Sequence, residues 1–401
     1  MVRCWGGSVY EDHDFFDRCD REGMMVWQDI ALACAFYPQH EAFYKKMEIE
    51  VEAIARKLRN HPSLVLWCGD NEIDQFKDRR NIDPNQNALS RRVIADALAK
   101  QDPYRPYLPS SPYYSEAFWK HRNDALLPEN HLWGPRDYYK SSFYTDNSHH
   151  FVSEIGYHGC PNVSSLKRFL DPDALWPWQN NQQWALHSSD PIGLDGQYAR
   201  RITLMANQMK ELFGFVPERI EDFSLASQIS QAEAKKFFVE RTRIGKWKRT
   251  GILWWNMIDG WPQFSDAIVD YYFGKKLAYH YLKRVQQDVC IMLDEPNNWH
   301  VRAVIGNDTL QTHEGTYRIW DADTDETLMQ GSFRTKSNDN VVLGQIRVSR
   351  SDRRLFLIQW TIDGVQYANH YLLGNPPISL EHYKTWLKRI AELEGSFALS
   401  D

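Results

Sequence analysis

Two short stretches end in residues that can do acid–base chemistry. LVLWCGDNE, Leu64 to Glu72, opens with four apolar residues and closes on Asp70, Asn71 and Glu72. HFVSE, His150 to Glu154, is a second strand-like run that turns polar at Glu154. A carboxylate at the end of a buried strand is half desolvated, and its neighbours set its pKa. Two such groups facing one cavity can divide the work of glycosidic-bond cleavage. One carboxylic acid protonates the leaving oxygen, and one carboxylate attacks the anomeric carbon. Asn71 can hydrogen-bond a sugar hydroxyl beside the reacting carbon, a bond that can strengthen in the transition state. Taken singly, each glutamate also fits a solvated loop acid or a salt-bridge partner. The pairing and the strand context favour the chemical reading.

Composition points the same way. Of 401 residues, 14% are aromatic, including 16 Trp and 20 Tyr. An indole offers a flat apolar face and one N–H donor, which suits sugar rings; a large aromatic core is the alternative. The net charge of −6, with both signs spread along the chain, argues against nucleic acid or an anionic membrane as main partner. No apolar run approaches the length of a membrane span. The six cysteines, at 4, 19, 34, 68, 160 and 290, show neither disulfide nor zinc spacing. Cys4, Cys34 and Cys68 read as small buried hydrophobes, which favours a reducing, cytoplasmic setting. No metal-binding motif such as H-E-x-x-H appears, and the paired-carboxylate chemistry needs neither metal nor cofactor.

The elements that must position these groups are legible as alternation. RCWGG, MMVWQD, LVLWCGDNE, PYLPSS, HLWG, FVSEIGY and ILWWNMID are seven strand candidates, most followed by amphipathic segments. One such helix is expected over residues 40–60, with Phe43, Met47, Val51, Ile54 and Leu58 on one face, and another over Ala232 to Arg243. Functional residues at the ends of strands that alternate with helices predict an α/β fold, a (β/α)8 TIM barrel over residues 1–288. A closed barrel needs eight strands, so the first is expected to lie before Met1. Past residue 288, short alternating runs and an Asp363-Gly364 hairpin signal predict an all-β, immunoglobulin-like sandwich. With a C-terminal amphipathic helix carrying Leu380, Tyr383, Trp386, Leu387, Ile390 and Leu393 on one face, it spans 289–401.

Four long motifs carry a family resemblance. RCWGGSVYEDHDFFDRCDREGMMVWQDI, RNHPSLVLWCGDNE, HFVSEIGYHGCP and GILWWNMIDGWPQFSDAIVDYYFGKKLAYHYLKR resemble, in order, segments of glycoside hydrolase family 2, in its β-mannosidase branch. The resemblance covers residues 1 to about 285 and implies a retaining, exo-acting β-glycosidase. It implies Glu72 as general acid/base and Glu154 as nucleophile. It sets Arg3 beside the nucleophile, where a cation would keep Glu154 ionised, and Trp255 as the platform under the sugar. Trp5, Trp133 and Tyr157 are candidates for the pocket wall or for plain packing. Asp29 fits either a sugar hydroxyl or a brace for an arginine. His131, Asp137 and Tyr138 are further pocket-lining candidates. Family members carry further N-terminal domains, so a fragment, or a chain completed by a partner, is expected.

The chain departs from the family pattern in places, and the resemblance sets Asp70 and the Tyr157-His158 pair near the reacting sugar. Asp70 stands where the branch often has Asn, I-G-Y-H replaces F-G-F-Q, and N-M-I-D replaces Q-L-N-D. The expected activity is therefore β-mannosidase, with exo-β-glucosaminidase, β-galactosidase or β-glucuronidase as alternatives on the same machinery. A catalytically silent carbohydrate-binding protein is the alternative from another class. Asp70 is the position expected to touch a different sugar.

Overall fold

The computed structural model describes residues 1–188 and 200–399. All seven parallel-strand candidates are present. Val2–Cys4 (β1), Val26–Asp29 (β2), Leu64–Cys68 (β3) and Tyr107–Leu108 (β4) form one parallel sheet in that order. Asn130–His131 (β5), Phe151–Gly156 (β6) and Gly251–Trp255 (β7) form a second sheet in the order β5-β6-β7. The described pairings thus fall into two sheets rather than one ring of strands.

Helices connect the strands of the first sheet. His13–Glu22 links β1 to β2 and closes on Gly23, whose φ of 65° is the left-handed cap that glycine adopts without strain. Glu41–Leu58 links β2 to β3 and buries Tyr44, Met47, Val51, Ala55 and Leu58 at spacings of three and four. Phe43 and Ile54, expected on the same stripe, are only partly buried at its edge. This helix packs with Ile94–Gln101 over the sheet, and Phe16, Val26, Leu64 and Trp67 fill the core between. The indole N–H of Trp67 donates to Asp102 at 2.9 Å, so the largest core side chain carries no orphaned donor.

The chain divides into two compact units. The first comprises Met1–Leu132, Ser148–Ile155 and Gly251–Leu253, and the second the remainder. The second unit holds two antiparallel sheets. Val289–Leu293 (β8), His300–Asn307 (β9) and Asn340–Arg347 (β12) form one antiparallel sheet, ordered β12-β9-β8. His313–Asp321 (β10), Thr327–Thr335 (β11), Arg354–Ile362 (β13) and Val365–Leu373 (β14) form the other, ordered β11-β10-β13-β14. Two of these strands were not readable as alternating runs. β8 is apolar and buried throughout, and β11 is largely polar and exposed. Asp363 and Gly364, at φ 49° and 80°, make the two-residue turn between β13 and β14.

The sandwich is tied to the long helix Ile220–Ile244, which extends the expected stretch at both ends and is buried along most of its length. Its Glu240 accepts from Asn369 at 2.8 Å, and its Glu233 lies 3.1 Å from His370 Nε2. The C-terminal helix Leu380–Glu392 docks through Leu380, Tyr383, Trp386, Leu387 and Ile390. Its last carbonyls are closed from outside by Arg284, on the helix Leu277–Val285. The guanidinium donates to the carbonyls of Ile390 (2.7 Å), Leu393 (2.9 Å) and Glu394 (3.0 Å). Among the described residues no helix is long and apolar enough to cross a membrane.

Arg284→Met should take this donor from all three carbonyls, leaving Ile390 only its bond from the Leu393 amide, at a cost of about 1–3 kcal/mol. The melting temperature should fall by a few degrees, and limited proteolysis should cut faster after Ile390. Unchanged protease susceptibility would show that the arginine does not hold this helix end.

Candidate active site

The site lies in the first unit, where the C-terminal ends of parallel strands deliver its residues. β1 supplies Arg3, β2 ends in Asp29, and the turn after β3 carries Asn71 and Glu72. Ser111 follows β4, His131 closes β5, and Glu154 lies on β6.

Arg3 is the hub. Its Nε and Nη2 donate to the two oxygens of Asp29, at 3.2 and 2.8 Å. Nη2 also donates to Asn71 Oδ1 at 2.9 Å, and Nη1 donates to Glu154 Oε2 at 3.2 Å. Asp29 is fixed in turn by the Trp27 indole N–H at 2.8 Å and the Gly6 amide at 3.0 Å. Its role is therefore that of a brace for the arginine. Burial opposes the charge of Arg3, but Asp29 and Glu154 outweigh it and hold the guanidinium above its ordinary pKa. The Gly6-Gly7 pair has a steric reason. A Cβ on Gly6 would stand 2.6 Å from the Leu32 carbonyl, and one on Gly7 would strike the Trp5 ring.

Glu72 sits on strained backbone, at φ 61° and ψ 9°. Its amide donates to the Ser111 carbonyl at 2.8 Å, and the Asn71 amide donates to Leu32 at 2.9 Å, so neighbouring strand ends over-determine the turn. His131 joins the two glutamates. Its Nδ1 lies 2.9 Å from Glu72 Oε1 and 3.7 Å from Glu154 Oε1. Its Nε2 lies 3.0 Å from Ser111 Oγ, which itself donates to the buried Glu129 at 2.9 Å. One oxygen of Glu72, one of Glu154 and a His131 nitrogen all lie within 4.8 Å of one another. Burial works against the charge of Glu72, but the His131 hydrogen bond and charge outweigh it and lower its pKa. Burial likewise opposes protonation of His131, and Glu154 and Glu72 outweigh that to raise its pKa.

Not every expected residue joins this cluster. Asp70 is fully buried and turns away from it, accepting from Ser110 Oγ at 2.5 Å and the Ile73 amide at 3.2 Å. Burial and the neighbouring Asp74 push its carboxyl well up, so it is a core acid rather than a sugar contact. Tyr157 is also no wall residue. It is 1% exposed, its hydroxyl donates to the Asp137 carbonyl at 2.6 Å, and it packs on Tyr139 and Phe238. Trp5 follows β1 and is half-buried. Trp133 and Trp255 are half-buried in the second unit. Arg136 stands 4.2 Å over the Trp133 ring, and the Trp255 carbonyl accepts from the buried Lys235.

Cys34 corrects the sequence reading. It is exposed rather than a core hydrophobe. Its thiol lies 3.5 Å from Glu72 Oε2 and accepts from Asn71 Nδ2 at 3.3 Å. Partial burial and the charge of Glu72 push the thiol up to about 12, so it stays protonated and donates to the carboxylate. The Glu72–His131–Glu154 triplet also has the spacing of a cation site, as do Asp17, Asp20 and His61. In the first, Arg3 already neutralises Glu154. In the second, His61 is taken up by Asp20 at 2.7 Å and His13 at 2.8 Å.

With this geometry in view, the relatives are informative. No family model matches the chain. It is 30% identical to a β-mannosidase B of Thermothelomyces thermophilus over 336 residues, covering 75% of this chain and 37% of that protein. A β-mannosidase B of Emericella nidulans is 28% identical over 324 residues, with the same coverage. The crystal structure of a β-D-mannosidase from Dictyoglomus thermophilum superposes with a TM-score of 0.79 at 28% identity, covering 93% of this chain and 46% of that one. The chain belongs to glycoside hydrolase family 2, in its β-mannosidase-like branch. It spans about two fifths of the length of the curated relatives it matches. Within this family chain, the two glutamates implied by the motifs are the two that His131 joins.

The pair has a defined pH window. Glu72 is lowered from its ordinary 4.5, so its contribution is present above that value and lost as pH falls through the folded pKa. His131 is raised from its ordinary 6.5, so its contribution is present below that value and lost as pH rises through the folded pKa. The melting-temperature gap between wild type and His131→Gln should therefore be widest between pH 4.5 and 6.5, by a few degrees. It should narrow on both sides. A pH-independent gap would refute the charged pair.

Proposed function

We propose that this chain carries the catalytic carboxylates of a retaining, exo-acting β-mannosidase, which removes terminal β-D-mannose by double displacement. The observation that supports this most directly is the approach of Glu72 and Glu154 oxygens to within 4.8 Å. Retaining glycosidases hold their carboxyl groups at ~5–5.5 Å, whereas inverting ones leave ~6.5–9.5 Å for a water. In the proposed domain division, residues 1–288 belong to a TIM barrel lacking its first strand, and 289–401 form an immunoglobulin-like sandwich with a terminal helix. Seven strands that alternate with helices and carry functional groups near their C-terminal ends support the first part, and seven antiparallel strands in two sheets support the second.

Glu154 is the nucleophile. Arg3 pairs with it at 3.2 Å and orients it, and its carboxylate attacks the anomeric carbon as the bond to the leaving oxygen breaks. Glu72 delivers a proton to that oxygen. In the resting site this proton is shared with His131 Nδ1 across 2.9 Å, and a leaving oxygen that develops negative charge draws it onto Glu72 and away. In the second step Glu72 takes a proton from water, the water oxygen attacks the same carbon, and Glu154 departs as a carboxylate. Asn71, held by Arg3 and Cys34, is placed to donate to the neighbouring sugar hydroxyl. Trp255 is the proposed platform under the sugar, with Trp5 and Trp133 as wall candidates. The burial of Asp70 removes the residue on which an amino-sugar preference would have rested.

A 2-deoxy-2-fluoro-β-mannosyl fluoride should label Glu154, as read by peptide mass spectrometry. Glu154→Gln should lower turnover of an aryl β-mannoside by about three orders of magnitude or more. Azide should restore turnover of an activated aryl mannoside to Glu72→Ala but not to Glu154→Gln. A label on another residue, or normal turnover by Glu154→Gln, would overturn the assignment.

A further inference from the structure

The sandwich carries a tryptophan that folding does not explain. Asn297 and His300 bond each other's backbone at 2.9 and 3.0 Å, closing a two-residue turn, Asn298-Trp299, between β8 and β9. Both central residues have positive φ, 49° and 66°. This turn type strongly prefers Asn-Gly, because the second position costs nothing only without a Cβ. At the β13–β14 turn the chain uses the expected Asp363-Gly364. At the β8–β9 turn a tryptophan takes the glycine position. A bulky residue in this region is a genuine outlier, and strain of this kind points to function when packing does not repay it. Packing does not repay it here, because Trp299 remains 57% exposed.

Trp299 borders a cleft of about 570 Å³, within the ~300–1,000 Å³ of small-ligand sites. The floor is already neutralised. Lys140 pairs with Glu295 at 2.9 Å and donates to the Leu372 carbonyl at 2.9 Å, and the Tyr371 hydroxyl donates to Glu295 at 3.1 Å. The rim offers Asn298, Ser349 and Asn375, with the Arg350 guanidinium 5.7 Å from the Trp299 ring. A flat indole with a guanidinium over its ring, and with amides and a hydroxyl in the same cleft, leaves its other face to a ring that shows C–H on one side and hydroxyls at its edge. A polyanion would call for several uncommitted cations, whereas one of the two basic groups here is spent on Glu295.

We propose that this cleft is a carbohydrate-binding site separate from the catalytic glutamates, taking a short stretch of a neutral polysaccharide against Trp299. Binding requires no turnover, so the site stands or falls apart from the glycosidase reading.

The test is native affinity electrophoresis of the 401-residue chain in gels containing soluble glucomannan, with polygalacturonate as the anionic control. Wild type should be retarded by glucomannan and not by polygalacturonate. Trp299→Gly should weaken the retardation at least about tenfold, since it removes the stacking face. The same variant should keep or raise the melting temperature, because glycine relieves the positive φ. Arg350→Ala, which keeps the indole, should weaken binding less. No retardation of wild type, equal retardation of Trp299→Gly, preference for polygalacturonate, or a marked loss of thermal stability in Trp299→Gly would each overturn the proposal.

Discussion

A single buried guanidinium sets the geometry of the first unit's strand ends. Arg3 spends its donors on Asp29, Asn71 and Glu154, which belong to three different strands or the turns that follow them. An isolated cation at this depth would be costly, and the carboxylates are what make it tolerable. The dependence runs the other way as well. Without Arg3, Asp29 and Glu154 would both lose the buried guanidinium they share. The ends of β1, β2 and β6 and the turn after β3 therefore hold their places partly because one planar fork must satisfy all of them.

In the proposed mechanism the second constraint is division of labour between two similar acids. Glu154 faces Arg3, and Glu72 faces His131 on one oxygen and Cys34 on the other. A fixed cation favours the permanently ionised form a nucleophile needs. A titratable partner lets a proton reside in the pair and move within it. The strained turn at Glu72 is the backbone counterpart of this arrangement, held by hydrogen bonds from neighbouring strand ends rather than by its own preference.

Much of this was legible in the chain. The first seven strands fall where apolar runs meet polar ends, and Glu72 and Glu154 stand out because each interrupts such a run. The helix Glu41–Leu58 follows its period of three and four, and Asp363-Gly364 marks its hairpin. Legibility failed where local pattern carries no information about direction. Asp70 and Glu72 are two residues apart and look equivalent, yet one points into the core and the other into the site. Cys34 lies in a mixed apolar stretch that reads as interior, and the bridge between Ala33 and Asn71 brings its thiol to Glu72 instead. β8 escaped notice because a wholly buried strand does not alternate, and β11 because its outward residues are polar and its inward ones few.

The sequence by itself determined which residues can do chemistry, the alternation of strands and helices, and the family, because these depend on residue type and spacing along one dimension. Tertiary structure alone decided that Arg3 would also reach Asn71, that Asp29 would be its brace, that His131 would join the two glutamates, and that Asp70 would be withdrawn. It also left an indole exposed at a turn position suited to glycine. The physical reason is range. Periodicity and capping act over a few residues, whereas Arg3 and Glu154 are 151 positions apart, and charges at such separations are matched only once the strands are laid side by side.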